Sequence, residues 1–117
     1  MKENKLAELS MEFSVDIINL VKYLKSNHES IISNQIGRSG TSIGANIHEA
    51  QYAQGKKDFV SKLEIALKEA SETQYWLQLL HETQHITDKE FKSIHDDLVE
   101  ILKILTAICK HYPQNNR

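Results

Sequence analysis

Proline is nearly missing from this chain of 117 residues: the single copy, Pro113, sits beside the C-terminus. Proline breaks the interior of helices and strands, so the long stretch without it, lacking Asn-Gly or Asp-Gly turn pairs, reads as long helices rather than turn-rich sheet. Cysteine is as scarce. Cys109 stands alone and has no partner for an internal disulfide, and its place in an apolar helical stripe suits a small core hydrophobe better than a nucleophile. No apolar run reaches the ~18 residues a membrane span needs, and "MKENKLAELSMEF" alternates charge with apolar residues unlike a secretory signal, so a cytoplasmic setting is expected. An excess of either charge is also lacking. A formal net charge of −2 excludes a dedicated phosphate-backbone binder but leaves room for a local basic patch.

What is present is helical periodicity. Apolar residues make up 40% and charged ones 26%, ordinary for one globular domain spanning 1–117. Leu6, Leu9, Phe13, Ile17, Leu20 and Leu24 recur at spacings of three and four, predicting a helix over about 4–26. A second, over 31–54, carries Ile32, Ile36, Ile43, Ile47 and Ala50, with Gly55 as its C-terminal stop. The third, over 57–85, turns Phe59, Leu63, Ala66, Ala70, Leu77 and Leu80 inward. A capping box, Thr87 with Glu90, opens the fourth over 88–111, where Phe91, Ile94, Leu98, Ile101, Leu105, Ile108 and Tyr112 form the stripe. Near-heptad stripes joined by short connections predict an all-α, up-down-up-down, left-handed antiparallel four-helix bundle.

The second helix is unusual. In "RSGTSIGANIHEA" only Arg38 and Glu49 carry full charges, and Gly37, Gly40 and Gly44 align on one flank. Each interior glycine costs about 1 kcal/mol relative to alanine, which close approach of a neighbouring helix can offset. The outer face holds Thr41, Ala45 and Tyr52; on the third helix Tyr75 and Leu79 point away from the core, with Ile65 and Trp76 on the flank. Apolar and aromatic residues grouped this way mark a contact surface, and another copy of the chain is the expected partner. Asn46 and Glu49 form a polar pair whose expected role is to satisfy groups across a seam, near Arg38.

Arg38-Ser39, Ser42-Ile43, Asn46-Ile47 and Glu49, continued by Phe59, Leu63, Ala66, Glu72 and Leu77, resemble the pattern of the 23S rRNA intervening-sequence protein family. The resemblance implies a small bundle that assembles into a homopentameric ring, with relatives encoded inside ribosomal RNA gene insertions. It also implies kinship with basic accessory proteins of diversity-generating retroelements, which bind nucleic acid. It supplies no catalytic residue and no cofactor. The chain departs from that family pattern at Ala50, where a glycine is frequent, near Ala53 and Gln54, where basic residues are lost, and at Glu69, where a small residue is favoured.

Two chemistries compete with a scaffold role. "HETQH" is a literal H-E-x-x-H, in which His81 and His85 on one helical face would hold zinc and Glu82 would act as general base of a metal-dependent hydrolase. Its position beside a helix end, with Glu82 and His85 aimed at solvent, argues against that use. Glu82 and His85 also match one E-x-x-H of a di-iron bundle, but no second copy exists. For RNA or a nucleoprotein the candidates are Arg38, Lys56, Lys57 and Lys62; ring symmetry would multiply the weak Lys56-Lys57 patch. The expectation is a non-catalytic, homo-oligomeric scaffold, probing no membrane and holding no metal.

Overall fold

The computed structural model describes residues 2–112, with side chains from residue 5. Four α-helices follow one another: α1 (Lys2–Ser26), α2 (Ile31–Ala50), α3 (Lys56–Glu82) and α4 (Asp88–His111), and no strand occurs among the described residues. Twenty-five residues of α1 span about 37 Å at 1.5 Å per residue, which matches a body measuring 45 × 24 × 20 Å. Each helix lies beside its sequence neighbours, and α1 closes the bundle against α4. The predicted stripes meet in one core. Phe13, Ile17, Ile36, Ile43, Leu63, Leu77, Leu80, Leu98, Ile101 and Leu105 are all buried.

The connections after α1 and α3 are built from backbone closure rather than glycine. α1 and α3 end alike: His28 and Gln84 take left-handed φ values of 67° and 63°. Glu29 N then donates to Leu24 O, and His85 N to Leu80 O, each at 2.9 Å. These bonds satisfy the last carbonyls of each helix. The chain next drops Glu29 and Ile86 into the interior. The buried Glu29 carboxylate accepts from Ile32 N at 2.9 Å and Ser33 N at 2.7 Å, so it caps α2. At α4 the expected capping box is present, with both Thr87–Glu90 bonds formed.

Two boundaries differ from expectation. α2 stops at Ala50, four residues before the predicted 54, because Gly55 does not close it. Gly55 sits at φ 128° as the residue preceding α3, a conformation that favours glycine, and the intervening chain turns back through Gln51 and Tyr52. α3 ends at Glu82 rather than 85, where the left-handed Gln84 terminates it.

The glycine flank of α2 faces α1. A Cβ on Gly40 would lie 2.9 Å from Ile17 Cγ2 and 3.0 Å from Cγ1; one on Gly44 would meet Ser14 Oγ at 3.0 Å, and one on Gly37 would meet Val21 Cγ2 at 3.2 Å. The helices therefore pack with backbone close to side chain, which answers the expected reason for three glycines.

Candidate functional site

The opposite flank of α2 faces α3 and is polar. Arg38 Nη1 donates to Glu69 at 3.2 Å, and its Nη2 donates to Glu72, which also accepts from Trp76 Nε1 at 2.9 Å. Ser39 and Thr73 are fully buried, with hydroxyl oxygens 2.8 Å apart. Thr73 Oγ1 also lies 2.8 Å from the Glu69 carbonyl oxygen. A hydroxyl has one proton, so Thr73 donates to that carbonyl and accepts from Ser39. Lower down, Lys62 Nζ reaches Glu49 at 3.2 Å.

The expected residues of the nucleic-acid patch are thereby divided. Arg38 and Lys62 are held by carboxylates of the bundle, Lys56 lies with its ammonium 5.1 Å from the Tyr112 ring centroid, and Lys57 is exposed in the first turn of α3. Asn46 does not reach Arg38; it donates to Ser42 O at 2.9 Å within its own helix. Glu49 does satisfy a group across the seam, but that group is Lys62.

The HETQH segment does not form a metal face. Two histidines at i and i+4 share a face only on a continuous helix, and α3 ends between them. His81 Nε2 meets Asp88 Oδ1 at 2.6 Å, and its ring stacks on Phe91 at 4.3 Å between centroids. His85 Nδ1 lies 2.8 Å from Thr83 Oγ1, and Glu82 is exposed. His95 stacks near Phe91 at 4.9 Å and lies 3.2 Å from Gln74 Nε2. Among the described residues no three His, Cys, Asp or Glu side chains converge as a metal site. Cys109 is half-buried; burial, followed by the Glu64 charge, pushes its thiol pKa up and away from nucleophile behaviour.

Surface apolar groups are the remaining candidates. Ile65 and Tyr75 are exposed on α3, while Trp76 and Leu79 are half-buried and pack against the core, so Leu79 points less outward than its spacing suggests. Tyr75 and Trp76 form an edge-on pair at 5.0 Å beside Arg38 and Glu72. Ala45 is exposed and Thr41 half-buried, its Oγ1 donating to Gly37 O at 2.7 Å. Tyr52 is exposed, yet it belongs to the turn after α2 rather than to its outer face. Sequence reasoning missed a further row on α1, where Met11, Val15 and Ile18 are exposed. Its signal was a second run of three-four spacings behind the core stripe.

Among the described residues, open grooves border these surfaces. One of about 720 Å³ runs between α1 and α4, including Asp16, Asn19, Tyr23, Glu90 and Ile94. Further along that seam Asp97 has its carboxyl pKa raised by desolvation and then by Asp16, Glu100 and Asp96. Another, about 560 Å³, lies between α1 and α2 beside Met11, Ser14, Gly44 and Ala45. The third, about 510 Å³, lies at the bundle end between Ala53, Lys56, Phe59 and Tyr112.

Comparison with known proteins bears on this architecture. A crystal structure of a protein of unknown function from the S23 ribosomal protein family of Bacteroides thetaiotaomicron is similar at 53% identity and a TM-score of 0.91. The match covers 94% of this chain and 99% of that one. Comparison with curated proteins finds no match. No helix among the described residues is long and apolar enough to cross a membrane. The model of one family, the 23S rRNA-intervening sequence proteins, matches residues 2–107, and the chain belongs to that family.

Proposed function

We propose that this chain is a non-catalytic scaffold that assembles with copies of itself, five in a ring, and works in the cytoplasm alongside RNA or a nucleoprotein. The observation that carries this is the α3 surface, where Tyr75 is 59% exposed next to Trp76, and Ile65, further towards the start of the helix, is 40% exposed. Aromatic residues with arginine dominate binding energy in protein interfaces. Burying a large apolar side chain contributes about 1.5–3 kcal/mol, so a ring that covers this surface in every copy gains repeatedly. Ala45 on α2, with Tyr52 in the turn that follows it, forms the opposing patch, as a head-to-tail contact requires two different surfaces.

The family match supports the bundle, and the resemblance supplies the number five. The RNA part rests on Lys56 and Lys57, whose repetition around a ring would concentrate positive charge at one end of the assembly.

Tyr75→Glu tests the ring, since it should shift the mass in solution towards the single chain without loss of helix signal. Unchanged mass would remove the α3 contact. For the RNA part, single-stranded RNA should bind at low salt, less tightly as salt rises, and less tightly with Lys56→Ala/Lys57→Ala. Failure to bind at low salt would remove it while leaving the ring standing.

A further inference from the structure

α1 carries a second stripe opposite its core face. Glu8, Met11, Val15, Ile18 and Lys22 follow at spacings of three, four, three and four, so they share one side of the helix. Met11 is 67%, Val15 52% and Ile18 44% exposed. The charges are placed symmetrically: Glu8 lies seven residues before Val15 and Lys22 seven after. Both are exposed, and among the described residues neither is in an ion pair of its own bundle.

We propose that this face pairs with the same face of a second copy, antiparallel, about a twofold axis at Val15. At a rise of 1.5 Å per residue, Glu8 lies about 10.5 Å to one side of Val15 and Lys22 about 10.5 Å to the other. The twofold therefore sets Glu8 of each copy opposite Lys22 of the other. Met11, about 6 Å from the axis, comes level with the second copy's Ile18, at about 4.5 Å. A parallel pairing would place Glu8 against Glu8 and Lys22 against Lys22, so charge selects the antiparallel arrangement. Beside Met11, the groove of about 560 Å³ between α1 and α2 gives the incoming side chains somewhere to seat. Three apolar layers make a small interface, of the transient class. The contact uses neither Ile65 nor Tyr75 of the proposed α3 surface, and it shares with the proposed ring only the groove wall at Ala45.

Cysteine cross-linking in a Cys109→Ser background tests the geometry. A residue on a twofold axis meets its own copy, so Val15→Cys should give a disulfide-linked dimer on mild oxidation. Lys22→Cys should not, because the two copies of that position lie about 21 Å apart. Glu8→Cys/Lys22→Cys should cross-link. Absence of the Val15→Cys dimer, or equal cross-linking through Lys22→Cys alone, would overturn the pairing. So would loss of the Val15→Cys dimer in Tyr75→Glu protein, since the contact would then belong to the ring. Lys22→Glu should weaken the pair by about tenfold, with Glu8→Lys restoring it; an unchanged affinity on Lys22→Glu also overturns it.

Discussion

On one flank of α2 the glycines leave room for Ile17 and Val21 of α1; on the other, Arg38, Ser39 and Glu49 reach α3 through side-chain bonds. The same helix thus meets one neighbour by removing side chains and the other by extending them. The first flank gains from dispersion between closely packed atoms, which is non-directional and tolerates little added volume, least of all at Gly40. The second gains little net energy from its exposed ion pairs but fixes which groups face each other. Close approach sets how near the helices lie, and the polar bonds set their register.

The largest expected effect falls on the first flank. Gly40→Val places methyl groups where Ile17 already sits, and should cost about 3 kcal/mol in urea-unfolding free energy. A cost below 1 kcal/mol would mean that α1 is free to shift. Next is Thr73→Val, which leaves the buried Ser39 hydroxyl without its acceptor and should cost about 2 kcal/mol. Ser39→Ala should cost less, about 1 kcal/mol, because Thr73 keeps the Glu69 carbonyl. Equal losses would show that the proton assignment is reversed. Arg38→Ala should cost only about 0.5 kcal/mol, since that side chain is half exposed and its pairs are screened. Gly37→Ala closes the series. A single Val21 methyl has to yield by a few tenths of an ångström, so the roughly 1 kcal/mol propensity advantage of alanine should win and stabilise the protein slightly.

How far the sequence foretold these flanks depended on the range of the interaction. The glycine flank was legible because three missing side chains at helical spacing state their purpose locally. The capping box of α4 was legible for the same reason, with Thr87 and Glu90 within one turn. The partners of Arg38 were not legible: Glu69 and Glu72 lie a whole helix away, and only the register of α2 against α3 decides that they, rather than Asn46 or Glu49, meet it. Gly55 misled because glycine serves either side of a connection, and here its positive φ belongs to the entry into α3. The end of α3, expected at 85, was misplaced for a related reason, since the left-handed Gln84 that terminates it has no glycine to announce it. The α1 row of Met11, Val15 and Ile18 was present in the spacing, yet the stronger core stripe of the same helix drew attention from it.

The exposed apolar groups on α3 and α1 make assembly the property on which everything functional depends. Sedimentation equilibrium of the unmodified chain at low micromolar concentration measures it directly. A mass of about five times 13.5 kDa is the predicted result. A single species of 13.5 kDa, unchanged as concentration rises, would contradict it.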